Sequence, residues 1–126
     1  MLEALIYTRD DHEYEQLRDA LTEASGLVSV SRDPLDGHGH YGKAYDIVVV
    51  ALDGAKGMNE VNEWVGRFPD SKIVWITDDK DFAGVAIQKH ICDFIVRPFN
   101  EERIKESLRS AVSESSMNGV WHISTR

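Results

Sequence analysis

The run DIVVVAL, residues 46–52, is the feature that most limits how this chain can fold. A near-continuous run of β-branched residues is typical of a strand buried on both faces of a parallel sheet. The run is far shorter than the ~20 apolar residues that a membrane-spanning helix needs. It therefore predicts the central strand of an α/β domain.

Strand-like and helix-like patterns alternate along the rest of the chain. The predicted strands are residues 2–8, 27–31, 46–52, 72–77 and 92–96. Between and after them, apolar residues at three-and-four spacing predict amphipathic helices, one over residues 10–24, others around Trp64 and over 81–90, and a last one capped by Asn100. Residues 33–45 contain a proline, three glycines and two histidines, so any helix there must be short or irregular.

Five strands that alternate with helices indicate a flavodoxin-like α/β fold. We expect a five-stranded parallel sheet with strand order 2-1-3-4-5 and helices on both faces, because crossovers between parallel strands are right-handed. Sites in such sheets lie beyond the carboxyl ends of the strands. The turns after Thr8, Leu52, Thr77 and Val96 are therefore the candidate site.

Length and charge restrict the class of protein further. A chain of 126 residues is long enough for one domain, which we place at residues 1–114, with residues 115–126 as a linker or tail in which 120–124 are a candidate short strand. The net charge of −8 opposes direct nucleic-acid binding and attraction to anionic lipid. The N-terminus shows no basic region followed by an apolar stretch, so we expect a cytoplasmic protein.

Three stretches in the second half share a pattern with a known family. KIVWIT (72–77), DDKDFA (78–83) and HICDFIVRPFNEERIKESL (90–108) resemble the CheY-like receiver domains of response regulators in two-component systems, and most of all LytTR-type receivers. The matching features are Thr77 at the end of a strand, the step Asp81-Phe82-Ala83, and Arg97-Pro98-Phe99 in place of Lys-Pro-Phe. The resemblance covers about residues 2–112.

The resemblance implies a defined site at the strand ends. In a phosphorylatable receiver, two carboxylates after the first strand and one after the third hold Mg²⁺. The third-strand aspartate accepts the phosphoryl group, while a threonine and a lysine bind it. The peptide between that lysine and the following proline is typically cis.

This sequence departs from the receiver pattern at most of these positions. Thr8 and Arg9 stand where the acidic pair belongs, Ala51 stands at the acceptor position, and Arg97 replaces the lysine. We therefore predict a degenerate phosphoacceptor site, with no catalytic residue, metal or cofactor, formed by Ala51, Thr8, Arg9, Asp10, Asp53, Thr77 and Arg97. We hypothesise that a guanidinium beside Asp10 or Asp53 takes the charge role of the metal; the alternative is that these side chains are simply solvated.

The expected function is that of an atypical receiver, or pseudo-receiver. It is not expected to be an enzyme and would act through a protein partner or an output domain, with transcription as the regulated process. The resemblance implies a partner or homodimer surface on the helix before the fifth strand, the fifth strand and the last helix. The residues expected there are Lys89, His90, Ile91, Glu101, Lys105 and Arg109.

Two other interpretations stay open from the sequence. Asp53, two residues after Ala51, is an alternative phosphoacceptor, and only then would Mg²⁺ be required. The chain is alternatively an unrelated flavodoxin-like enzyme or ligand-binding domain that uses Thr8, Asp53 and Thr77. His38-Gly39-His40 lacks the neighbouring ligands of a zinc site and is expected to be a flexible loop.

Overall fold

The computed structural model describes residues 1–37 and 41–124, which form five strands and four α-helices. The strands are β1 (Leu2–Thr8), β2 (Val28–Arg32), β3 (Ile47–Ala51), β4 (Lys72–Thr77) and β5 (Asp93–Val96). The helices are α1 (Asp11–Ala24), α2 (Gly54–Arg67), α3 (Ala83–Lys89) and α4 (Glu101–Ser124), and a 3₁₀ turn, Lys80–Phe82, precedes α3. None of the described helices is long and apolar enough to cross a membrane.

The strands form one parallel sheet in the order β2-β1-β3-β4-β5, which confirms the predicted fold class. The register places Thr8 opposite Ala51, and Thr77 opposite Val96. Because all strands run in the same direction, their carboxyl ends meet at one edge of the sheet. The predicted site residues therefore lie along a single edge.

Side chains on the two faces of the sheet form two separate cores. Helices α1 and α4 cover one face, α1 over β1 and β2 and α4 mainly over β4, with Leu17 and Ile104 among the residues buried there. Helices α2 and α3 cover the other face, where Trp64 and Trp75 are fully buried. Adjacent residues of a strand point to opposite faces of the sheet. The residues that follow a strand can therefore extend towards either core.

Two predicted segments differ in the structure. The single helix predicted over residues 81–90 is instead a 3₁₀ turn followed by α3, because the Asp79 side chain caps the turn by accepting from the Asp81 amide. The described parts of 33–45 contain no helix, and Leu35 has a positive φ of 58°, which a helix does not allow. The His38-Gly39-His40 prediction lies outside the described residues.

Helix α4 continues well past the predicted end of the domain. Its first turn is capped as predicted, with the Asn100 side chain accepting from the Arg103 amide at 2.8 Å. The helix runs on to Ser124, so the strand considered for residues 120–124 is wrong. A helix satisfies its own backbone groups, whereas a strand there would need a neighbouring strand. The assignment of residues 115–126 as a linker stays a prediction.

Candidate functional site

The ends of four strands bring the central residues of the site together. Thr8 and Ala51 end neighbouring strands, and Thr77 ends the next one. Arg97 follows β5 directly, and its amide donates to the Thr77 carbonyl at 2.9 Å. The Arg97–Pro98 peptide is cis, as the resemblance implies.

The Arg97 guanidinium lies at the centre of this edge and is bonded on several sides. Its Nε and Nη2 donate to the two oxygens of Glu13, each at 2.9 Å. Nη2 also donates to the Ala51 carbonyl at 3.1 Å, and Nη1 donates to Asp53 Oδ1 at 2.8 Å. A planar guanidinium can hold a carboxylate through two parallel bonds, which a lysine cannot do. These bonds fix one cation between two carboxylates.

Glu13 is the buried carboxylate beside Arg97, with only 8% of its surface exposed. Its Oε1 also accepts a hydrogen bond of 2.8 Å from the Thr8 hydroxyl. A buried carboxylate is costly unless it is paired and hydrogen-bonded. The hydrogen bonds that Arg97 donates to Glu13 raise the pKa of Arg97 above its usual value, so the guanidinium stays charged.

Asp53 is the more exposed carboxylate on the other side of Arg97. Its Oδ1 accepts from the Asp78 amide at 2.9 Å and lies 3.5 Å from the Thr77 hydroxyl. Partial burial alone would raise the pKa of Asp53, but the Asp78 amide and the Arg97 charge outweigh it and lower that pKa. Asp53 is therefore ionised near neutral pH, and its Oδ1 is already engaged by several donors.

The structure brings together five of the seven predicted site residues: Thr8, Ala51, Asp53, Thr77 and Arg97. A guanidinium does lie beside Asp53, and it is that of Arg97, while its taking the charge role of the metal stays a prediction. The other two residues point elsewhere. Asp10 caps α1, accepting from the Glu13 amide at 2.8 Å. Arg9 lines a cavity on the α2 side of the sheet, so it does not join the other predicted site residues around Arg97.

Two residues of the site were missed from the sequence, Glu13 and Asp78. Glu13 lies one helical turn before Leu17, on the stripe of α1 that faces the core. A carboxylate on an otherwise apolar stripe was a usable signal, because such a group needs a buried partner. Asp78 Oδ1 lies 3.6 Å from Arg97 Nη1 at the exposed rim, and no sequence pattern indicated it.

The side chains at this edge do not fit the Mg²⁺ site that the resemblance implies. Magnesium requires oxygen ligands in octahedral geometry. Both Glu13 oxygens are engaged by Arg97 and one of them also by Thr8, and Arg97 already contacts Asp53. Within residues 1–37 and 41–124, no group of three or more His, Cys, Asp or Glu side chains is arranged to hold a metal ion.

The six predicted interface residues do not lie on one surface. Lys89, His90 and Ile91 follow one another at the end of α3. Arg109 lies near the start of β5, in a shallow depression shared with Cys92. Glu101 and Lys105, however, are on the α1 side of α4: the Lys105 ammonium lies 3.1 Å from Glu101 and 3.5 Å from Glu23 of α1.

The sequence matches no family model and no curated protein, but the structure resembles many solved ones. The response regulatory domain of protein mrkE from Klebsiella pneumoniae has a TM-score of 0.70 at 19% identity, over 92% of this chain and 99% of that one. The REC domain of AraT, a response regulator from Geobacillus stearothermophilus, has a TM-score of 0.73 at 19% identity, over 94% and 98% of the two chains.

A longer protein shows the same similarity. NtrX from Brucella abortus matches 97% of this chain with a TM-score of 0.74 and 18% identity, through 29% of its own length. These matches extend over nearly all of a chain whose parallel sheet has the order 2-1-3-4-5. The chain therefore has the fold of response-regulator receiver domains.

Proposed function

We propose that this protein is a pseudo-receiver, a signalling module that acts by binding other proteins without phosphotransfer. The supporting observation is the position of Arg97. Its guanidinium bridges Glu13 and Asp53 and bonds the Ala51 carbonyl, at the edge where a receiver would bind a metal and a phosphoryl group. An alanine at the end of β3 has no carboxylate to phosphorylate.

The charge arrangement supports a domain held in one state. A receiver switches because phosphorylation adds charge that the surrounding side chains must accommodate. Here the guanidinium supplies a permanent positive charge, and the buried Glu13 carboxylate holds it in place. The site would then present a constant surface to its partner, and control would come from the amount or availability of that partner.

The partner surface that we propose is the end of α3 together with the neighbouring part of β5 and α4. Lys89, His90, Ile91 and Arg109 belong to it, and Ile87 of α3 adds an apolar side chain that is 75% exposed. We propose a cytoplasmic partner protein or an output domain, in a LytTR-type regulator of transcription. Glu101 and Lys105 are left out because they pack towards α1.

A phosphorylatable receiver that uses Asp53 is the second candidate. Asp53 Oδ1 lies 3.5 Å from the Thr77 hydroxyl and 2.8 Å from an Arg97 nitrogen, as a phosphoacceptor would lie beside its threonine and its cation. Against it, the described residues around Asp53 offer no magnesium site.

Incubation with acetyl phosphate and Mg²⁺, followed by intact-mass spectrometry, separates the two candidates. We expect the mass of the wild-type protein to stay unchanged, because Ala51 has no acceptor oxygen and the Asp53 carboxylate is held by donors. An ordinary receiver domain treated in parallel must gain one phosphoryl group, which shows that the reagent is active.

Asp53→Asn and Asp78→Asn are the matched control variants for this experiment. Both remove one carboxylate from the same exposed rim, at which Arg97 is the shared cation. A mass gain in the wild type and in Asp78→Asn that disappears in Asp53→Asn would contradict the pseudo-receiver proposal and establish the second candidate.

A further inference from the structure

A cavity of about 310 Å³ opens on the α2 side of the sheet, away from Arg97. Tyr7 of β1 and Leu52 after β3 line it from the sheet, and the first turns of α2 supply Lys56 and Asn59. It lies at the carboxyl ends of β1 and β3, where the strand order reverses and where sheets of this kind bind ligands. Its volume is at the lower end of the range for small-molecule sites, roughly 300–1,000 Å³.

Three of the described side chains that line this cavity, those of Arg9, Lys56 and Tyr7, are donors without an acceptor. Arg9 and Lys56 are exposed and form no ion pair with any described residue. The Tyr7 hydroxyl is part of a side chain that is only 2% exposed, and it accepts from Trp64 Nε1 at 3.0 Å. Among the described contacts it donates to no acceptor, so a buried donor remains available.

Two carboxylates also line the cavity, and each accepts a hydrogen bond from a neighbouring group. Glu60 Oε2 accepts from the Tyr41 hydroxyl at 2.6 Å, and Asp33 Oδ2 accepts from the Leu35 amide at 2.8 Å. The backbone of Leu35, whose amide donates to Asp33, is left-handed with a φ of 58°. The Leu35 side chain is an apolar part of the cavity wall. Such strain costs on the order of 1–3 kcal/mol and tends to occur at ligand sites.

We infer that this cavity binds a small organic anion, with its oxygens towards Arg9, Lys56 and the Tyr7 hydroxyl and its apolar part against Leu35 and Leu52. Unpaired cations together with an unused buried donor favour a ligand rich in acceptors. None of these five residues contacts Arg97, so the inference is independent of the proposed function. The anionic group is a phosphate or a carboxylate, and the test distinguishes them.

The test is a titration of the ¹⁵N-labelled protein, followed by amide chemical shifts. Phenyl phosphate and benzoate are the two anionic probes, and benzyl alcohol is the neutral probe of similar size. We expect at least one anion to produce saturable shifts at Tyr7, Leu35 and Lys56 with a dissociation constant below about 1 mM. Benzyl alcohol should bind at least about tenfold more weakly, since it leaves the cations unpaired.

Charge-removing variants decide whether the cavity is responsible. Lys56→Ala and Arg9→Ala should each weaken binding of the anion by roughly tenfold. Lys80→Ala removes the same charge from an exposed position outside the cavity and should leave the affinity unchanged. Absence of saturable shifts with both anions, equal binding of benzyl alcohol, or equal weakening by Lys80→Ala would each overturn the inference.

Discussion

Replacing Arg97 with alanine is expected to lower the free energy of unfolding by roughly 2–4 kcal/mol, because it leaves a buried carboxylate without its counter-charge. Glu13 is 8% exposed and has two of its hydrogen bonds from this one guanidinium. Of the hydrogen bonds that the described side chains make to Glu13, the one from the Thr8 hydroxyl would remain. The measurement is urea unfolding at neutral pH.

Arg67→Ala is the matched control for this loss. Arg67 also pairs with a glutamate at 2.9 Å, but its side chain and that of Glu63 are 54% and 50% exposed. Exposed ion pairs contribute little to stability, and the Arg67 guanidinium also lies 4.5 Å from the centre of the Tyr41 ring, so this variant should lower stability by less than about 1 kcal/mol. The double variant Glu13→Leu/Arg97→Met, which removes both charges, should recover much of the loss. A loss in Arg97→Ala no larger than that in Arg67→Ala would contradict the view that this pair holds the site.

Replacing Gly57 with alanine is expected to destabilise the protein by about 2–3 kcal/mol, because the added methyl group has no room. A Cβ at this position would lie 2.1 Å from the Leu52 carbonyl oxygen and 3.3 Å from Trp75 Nε1. The obstacle is backbone at the end of β3, which cannot rotate away as a side chain would. Helix α2 would have to move from the sheet, and Asp53 at its start would move with it.

Gly66→Ala is the control, since it places the same methyl group in the same helix. Apart from its chain neighbours and the nearby backbone of α2, no atom of the described residues lies within 4 Å of a Cβ at Gly66, so the better helix propensity of alanine should raise stability by up to about 1 kcal/mol. Thermal and urea unfolding of the two variants should therefore shift in opposite directions. Equal shifts would show that α2 does not pack against the Leu52 carbonyl as described.

The order of the elements could be predicted because it depends on local patterns. The β-branched run at β3 and the repeated apolar spacing of the helices indicate a parallel sheet without any long-range information. Thr77, Arg97 and Asp53 could be placed at the site for the same reason, since each ends a predicted strand or comes directly after one. Residues at the carboxyl ends of parallel strands share one edge of the sheet.

The residues that were misplaced or missed are those whose contacts depend on the direction of the side chain. Arg9 comes after Thr8, and neighbouring residues alternate between the faces of the sheet, so Arg9 lies with Tyr7 on the α2 side. Glu13 reaches Arg97 across 84 positions of sequence, a contact that requires the packed position of α1. Glu101 and Lys105 face α1 because of the rotation of α4 about its own axis, which surface charges do not specify.

The most direct measurement of the central claim is an amide NMR titration of the wild-type protein with Mg²⁺ and then beryllofluoride, a mimic of the phosphoryl group. If Arg97 takes the place of the metal, the amides of Thr8, Ala51, Asp53 and Thr77 should show no saturable shift change with either addition. Saturable shifts at Asp53 and Thr77 that require both Mg²⁺ and beryllofluoride would contradict the account.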